Sequence, residues 1–431
     1  MRATAQSDIG TGKRPAKAGH LRWYICGLLF YATTVNYVDR QVLGILKPVI
    51  SGELGWREAD FGWIVFAFQL AYALMMPIAG RLIDWLGTRL GYALAVLVWS
   101  CAAMSHSLAR NSFQFAAARF ALGCGEAANF PAAIKTVADW FPTRERALAT
   151  GIFNSGTNLG AIIAPLLVPV VAQHFGWRAS FLATGGLDAL WLILWLSTYR
   201  SPAQNKWLSQ AERAYIDSDR REEKRAVPYT VLLGKRPAWA FLLGKFMTDP
   251  VWWFYLYWLP GFLNRKYGLD LSHLGAPLIA VYLAADIGSI AGGWIPGRLL
   301  FRGIDLTKAR KTALLICAFT VTPVMGIMLM RGNLWATVAL ISLAAAGHQG
   351  WSANLYTLAS DTFPRAVIGS VVGLGGMGGA IGGMLVAPAV GYWLDFSHEA
   401  YGPVFVVAGL MYLVTFLVID RLLPRLEQVE I

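Results

Sequence analysis

The sequence predicts an all-α membrane protein in which twelve transmembrane helices form two pseudo-symmetric six-helix bundles. Three observations support this fold class: the composition, the spacing of the apolar segments and an internal repeat. Of the 431 residues, 56% are hydrophobic and only 14% are charged, whereas about a quarter of the residues of soluble domains are charged. The apolar segments are continuous, which favours helices over the alternating strands of a membrane barrel.

Twelve segments are long and apolar enough to cross a hydrocarbon core as helices. Lys and Arg are concentrated in the loops on the side of the N-terminus, which predicts that both termini face the cytoplasm. The predicted organisation is an N-terminal tail (1–21), a first bundle (22–199), a charged cytoplasmic linker (200–237), a second bundle (238–422) and a C-terminal tail (423–431). The predicted spans are 22–42, 61–79, 88–107, 112–134, 149–171, 179–199, 238–262, 275–297, 311–330, 334–357, 366–390 and 402–422.

The two bundles align with each other at a fixed offset of 222 residues, which indicates duplication of a six-helix unit. The same offset places Glu126 opposite His348. Matching residues are Gly125 and Gly347, Asp139 and Asp361, Phe141 and Phe363, Pro142 and Pro364, Gly151 and Gly373, Gly156 and Gly378, and Gly160 and Gly382.

The charge distribution and the lack of certain motifs argue against several function classes. The net charge of +12 comes from basic residues between apolar segments and not from a basic domain, so nucleic acid is not an expected partner. The glycine-rich runs lie inside spans and no phosphate-loop lysine follows them, so ATP is not expected. No catalytic or metal-ligand cluster has persuasive spacing, which predicts neither an enzyme nor a cofactor.

Four ionisable residues fall inside the first and fourth spans, where each costs about 2.5–3.5 kcal/mol to insert. They are Asp39, Arg40, Arg119 and Glu126. A planar, permanently charged guanidinium suits a carboxylate, so we expect Arg40 to bind an organic anion directly. Snorkelling of Arg40 to the headgroups is the alternative, and Arg119 either binds the anion or neutralises a nearby acid.

If movement of an anion across the membrane is coupled to protons, the coupling requires a carboxylate. Its protonation state must depend on desolvation and on nearby cations. Asp39 and Glu126 meet that requirement, and Glu126 is the stronger candidate because it lies among small residues in the middle of its span. Protonated Glu126 would release its arginine to the substrate. His348 either modulates coupling and contacts substrate or is a packed histidine.

The loop from Gly80 to Arg89 resembles the signature loop of the major facilitator superfamily. The resemblance implies that this loop holds the outward-facing state, with Asp84 as the acidic residue at a helix end; Gly80, Gly87 and Arg89 complete the motif. The alternative is an ordinary turn with a helix cap.

Within that superfamily, Asn36 to Arg40 together with Arg119 and Glu126 is similar to the organic anion symporter branch. The stretches Thr248 to Tyr255 and His348 to Tyr356 are similar to hexuronate transporters. We expect the sugar to contact Tyr37, Tyr72, Tyr255, Trp351, Ser352 and Asn354, with an interfacial aromatic belt as the alternative for the tyrosine of the seventh span.

The resemblance implies a proton-coupled importer of a sugar acid, foremost a hexuronate, that acts as a monomer in the inner membrane. An exporter or exchanger of another organic anion is the alternative, and a membrane sensor or a lipid-sugar enzyme is more distant. Two further acids stay open: Asp249 can pair with Lys245 one turn earlier, and Asp286 has no evident local partner.

Overall fold

The computed structural model describes residues 19–56, 58–219, 227–269, 275–330, 332–397 and 400–430. Across these ranges the regular secondary structure is helical and contains no strand. Most of the predicted N-terminal tail lies outside the described residues.

The first half of the chain forms six bundle-spanning elements, one of which is divided into two helices. A glycine with positive φ ends the first helix at Gly55 and another precedes the third at Gly87. The helices are α1 (Leu21–Leu54), α2 (Glu58–Leu86), α3 (Thr88–Ser105), α4 (Ser112–Glu126), α5 (Asn129–Trp140), α6 (Thr143–Phe175) and α7 (Trp177–Thr198).

Two short helices of the linker, α8 (Gln210–Ile216) and α9 (Tyr229–Leu233), lead to the second half. Glu212 of α8 accepts hydrogen bonds from the backbone amides of Leu21 and Arg22 and so supplies the acidic cap of α1. The remaining helices are α10 (Arg236–Tyr267), α11 (Gly275–Phe301), α12 (Leu306–Val321), which continues as a 3₁₀ segment (Thr322–Met330), α13 (Leu334–Thr362), α14 (Ile368–Phe396) and α15 (Tyr401–Leu422).

Eight of the described helical spans are long and apolar enough by composition to cross a membrane. The four long elements outside that group are α1, α4 with α5, α10 and α13. These four carry many of the buried charged and polar side chains of the bundle interior, including Asp39, Glu126, Lys245 and His348. The twelve-span fold is confirmed, and its least apolar elements contribute much of the interior site.

The two halves meet through close helix pairs, chiefly α6 with α11 and α2 with α14. We call the end of the bundle that carries both termini and the linker the linker end, and the opposite end the far end. At the linker end, a Cβ atom on Gly80 would lie 2.2 Å from the carbonyl oxygen of Gly369. Only glycine permits this approach, so the halves are closed against each other at the linker end.

Candidate functional site

A cavity lies between the two halves. Its walls come from both halves of the repeat. Polar lining residues include Tyr37, Arg40, Gln69, Tyr72, Asn154, Thr157, Lys245, Asp249, His348, Gln349, Ser352 and Tyr356.

Arg40 of α1 is the central cation of the first half. Its guanidinium carbon lies 4.7 Å from the ring centre of Tyr37 and 4.7 Å from that of Tyr72, so the positive charge rests between aromatic faces. Its Nε donates to Glu126 at 2.6 Å, while Nη2 has no hydrogen-bond partner among the described residues. The guanidinium is therefore held in place beside the cavity, and its buried Nη2 is a donor that no described residue satisfies.

Glu126 lies behind Arg40 and is completely buried. It is the last residue of α4, and two alanines separate it from α5. A Cβ on the preceding Gly125 would come within 2.7 Å of the backbone of Trp99, so the small residues here allow close approach of α3. His348 borders the cavity, but Glu126 does not face it directly, because Arg40 stands in front of the acid.

Arg119 lines a second cavity that shares Tyr37, Arg40 and Thr157 with the first and continues toward the far end. Its Nη2 donates to the backbone carbonyl of Arg40 at 3.1 Å. Its positive charge thus stands at the approach to Arg40 from the far end.

Asp39 points away from Arg40, and sequence analysis missed its neighbour. The carboxyl group of Asp188 in α7 lies within hydrogen-bonding reach of Asp39. Both side chains are buried, with Thr184 and Trp99 beside them, yet no donor in the described part of the chain meets hydrogen-bond geometry with any of the four oxygens. Asp188 lies inside the predicted span 179–199, and the cost of inserting an acid there is the sequence signal that could have identified it.

The second half presents one face of α13 to the cavity. It is formed by His348, Ser352 and Tyr356, which are four apart, together with Gln349 beside His348. The imidazole of His348 stacks on Trp252 with ring centres 5.0 Å apart and its Nδ1 contacts the Tyr412 hydroxyl. Gln349 accepts a hydrogen bond from Asn154 of α6 at 2.7 Å, which links the two halves at the cavity wall.

Three residues expected to contact the sugar lie outside the lining of the cavity. Tyr255 packs beside Phe405 of α15, while Trp252 and Trp253 of the same aromatic run line the cavity. Trp351 packs edge-on against Tyr412, and Asn354 donates to the carbonyl of Gly292 at 2.8 Å. The reason is rotation of about 100° per helical residue, which turns these positions toward neighbouring helices.

The two acids of the second half have partners. Lys245 Nζ lies 2.8 Å from Asp249 Oδ2, and both residues line the cavity. Asp286 accepts a hydrogen bond at 2.8 Å from Asn158, which belongs to the other half.

Asp84 fastens the halves together at the linker end. Its carboxylate pairs with Lys135 at 2.8 Å and accepts the backbone amides of Gly369 and Ser370 at 3.0 and 2.6 Å, which caps α14 across the interface. Arg89 instead donates to the Leu196 carbonyl within the first half.

A second cluster at the linker end was also missed by the sequence analysis. Asp361 pairs with Arg310 at 2.8 Å and with Arg146 of the first half at 3.4 Å. Arg310 further donates to the carbonyl of Thr143, and Arg146 to that of Ser360. The cavity is therefore shut at the linker end by charged side chains from both halves.

Comparisons with known proteins agree with this architecture. The family model of the Major Facilitator Superfamily matches residues 29–387. The chain is 31% identical to a hexuronate transporter of Escherichia coli strain K12 over 95% of this chain and 96% of that one. It is 33% identical to a galacturonate transporter of Dickeya chrysanthemi over 68% and 86%, respectively.

Among solved structures, the crystal structure of the E. coli fucose:proton symporter superposes with a TM-score of 0.72 at 16% identity. The match covers 93% of this chain and 99% of that one. At this identity the likeness concerns the fold. The match of the family model over residues 29–387 establishes that this chain belongs to the major facilitator superfamily.

Proposed function

We propose that the protein is a secondary active transporter that imports a sugar acid, foremost a hexuronate, together with protons. The observation that carries the proposal is the environment of Arg40. Its guanidinium is fixed on two aromatic rings at the wall of a cavity between the halves, with Nη2 unpartnered among the described residues. A planar guanidinium engages both oxygens of a carboxylate, and the surrounding hydroxyl and amide groups suit the hydroxyls of a sugar.

The ion pair behind Arg40 supports the proposal of proton coupling. Glu126 is completely buried and bonded to Arg40 Nε at 2.6 Å. Protonation of Glu126 removes its charge, so Arg40 then prefers a substrate carboxylate. Binding of proton and of substrate therefore favour each other, as linkage requires. Asp39, buried beside Asp188, is the second proposed proton site.

The arrangement of the halves supports alternating access. The cavity is shut at the linker end by the Asp84 and Asp361 clusters, while the cavity beside Arg119 extends toward the far end. We place the linker end on the cytoplasmic side of a bacterial inner membrane, because loops rich in basic residues lie on that side. The described state is then outward-facing. We further propose a monomer that needs no cofactor besides the coupling proton and has no enzymatic activity.

The test is uptake of labelled glucuronate into proteoliposomes with an imposed proton gradient. Arg40→Ala removes charged hydrogen bonds worth about 1.5–3 kcal/mol, so we expect uptake to fall about 10- to 100-fold. Glu126→Gln mimics the protonated acid, so it retains exchange of labelled for unlabelled substrate and loses accumulation driven by the gradient.

Matched controls come from a second arginine–glutamate pair. Arg178 and Glu53 lie 2.9 Å apart, but their side chains are 46% and 44% exposed. Arg178→Ala and Glu53→Gln should leave uptake unchanged. Folded protein that transports neither hexuronates nor aldonates would contradict the substrate class, and exchange without any response to the gradient would identify an anion exchanger instead.

A further inference from the structure

The Lys245–Asp249 ion pair belongs to the second half and borders the same cavity as Arg40. The two residues are four apart on α10, so they stand one above the other on one helix face. Lys245 Nζ also donates to the hydroxyl of Tyr356 at 3.1 Å and lies 4.5 Å from its ring centre. The cavity thus has one charged pair in each half.

Two features show that the pair is built into the cavity wall. The Asp249 side chain is 18% exposed and Lys245 is 7% exposed, in contrast to the fully buried Glu126. A Cβ on Gly379 of α14 would stand 2.1 Å from Asp249 Oδ2, so α14 carries no side chain at the position that Asp249 occupies. The carboxylate has room beside the cavity and is not sealed away from it.

The two pairs differ in how they respond to a ligand. Protonation of buried Glu126 leaves Arg40 as an uncompensated cation, which is suited to an anionic group. Asp249 and Lys245 compensate each other, so their combined charge is zero and the pair offers an acceptor beside a donor. Such a neutral pair suits vicinal hydroxyl groups, whereas a carboxylate placed there loses its hydration without gaining an unpaired cation, since Asp249 already neutralises Lys245.

We propose that the Lys245–Asp249 pair binds the hydroxyl-bearing end of the substrate and that Asp249 excludes sugar diacids. This inference depends on the proposed function, because it assumes that Arg40 holds the carboxylate of a sugar monoacid. Asp249 is then a specificity-determining residue: it accepts from hydroxyls of a hexuronate and rejects the second carboxylate of a hexarate.

The experiment measures how well unlabelled glucuronate and glucarate compete with uptake of labelled glucuronate. Wild-type protein should bind glucarate about tenfold or more weakly than glucuronate, because the second carboxylate loses hydration in the cavity and finds no unpaired cation there. Asp249→Asn leaves Lys245 as a free cation, so glucarate should compete about tenfold better and glucuronate worse. Lys245→Gln leaves Asp249 unopposed, so the preference for glucuronate over glucarate should widen.

The opposite shifts separate specificity from a structural role, which would weaken both competitors alike in both variants. The matched control is Asp420→Asn, which breaks a lysine–aspartate pair of 2.7 Å outside the cavity and should change neither competitor. If Asp249→Asn fails to fold, the wild-type and Lys245→Gln ratios still decide. Equal competition by glucuronate and glucarate in the wild type overturns this inference alone, while absence of any sugar-acid uptake overturns the proposed function as well.

Discussion

Asp39 and Asp188 face each other in the interior of the first half, away from the cavity. Two buried carboxylates within hydrogen-bonding reach repel each other when both are ionised, so we propose that the pair shares a proton. Arg119 attracts the charge of Asp39 and itself interacts with Arg40 and Glu126. We propose that the pair releases its proton when substrate rearranges the two arginines.

Replacement of Asp188 by asparagine tests this placement. The amide donates to Asp39 without a transferable proton, so gradient-driven accumulation of glucuronate should fall about fivefold or more, the low end of usual site coupling. Exchange at equal pH on both sides should persist. Accumulation ratios in proteoliposomes measure the effect.

Asp39→Asn should have the same phenotype, and the double variant should be no worse, because both changes remove one shared proton. Asp420→Asn serves as the control, since that acid pairs with a lysine outside the interior. An additive loss in the double variant would show two independent proton sites.

The sequence predicted the charged residues of the first half because charge inside a span is costly and therefore conspicuous. It did not predict which face of a helix meets the cavity. Tyr255 and Trp252 lie three residues apart, and only the packing of α15 against α10 decides which ring is sequestered. Asp188 was missed although the same insertion cost marks it. The pairings of Asp188 with Asp39 and of Asn158 with Asp286 leave no local pattern, because they join distant helices.

At the level of helices, the close contact of α2 with α14 limits the size of the side chains that fit at the linker end. Gly80→Ala adds a methyl group 2.2 Å from the Gly369 carbonyl oxygen, so the helices must separate. We expect the closed linker end to be destabilised by about 1–3 kcal/mol, the usual cost of overpacking. Reactivity of a cysteine placed at Ala147, which is buried where α6 packs against α11 of the other half at the same end, reports the opening.

Gly186→Ala is the matched control, because a Cβ at Gly186 of α7 meets no atom within 4 Å. Both changes add the same methyl group to a helix, and only the first should raise the reactivity of the cysteine at position 147. Unchanged reactivity in Gly80→Ala would show that α2 and α14 separate freely in this region.

The spans themselves were predicted well because bilayer thickness fixes their length. The helices nevertheless extend beyond the predicted limits; α1 reaches Leu54 although the apolar segment was placed at 22–42. Hydropathy detects only the length of a helix that lies within the hydrocarbon core. The division between α4 and α5 was not predicted either, since the alanines at 127 and 128 favour helix by intrinsic propensity.

For the whole molecule, the contacts between halves are asymmetric along the bundle axis. Charged clusters around Asp84 and Asp361 close the linker end, and the cavity beside Arg119 continues toward the far end, where it is bordered by Gly44 and Phe61. Transport requires the opposite arrangement as well. The salt bridges at the linker end must then break in each cycle, so their strength sets the balance between the two states.

This balance predicts a difference in accessibility between two engineered cysteines in a background without native cysteines. Gln41→Cys borders the second cavity and should react from the outside with a membrane-impermeant maleimide. Ala147→Cys, buried at the linker end, should be protected from a reagent on the inside.

Combining Ala147→Cys with Asp84→Asn weakens the pairing with Lys135 and the capping of α14. Labelling at position 147 should then rise about tenfold for each 1.4 kcal/mol by which the closed linker end is destabilised, while labelling at position 41 declines. Asp420→Asn in the same background should alter neither rate. Parallel increases at both positions would mean that Asp84 supports folding of the bundle and does not bias the two states.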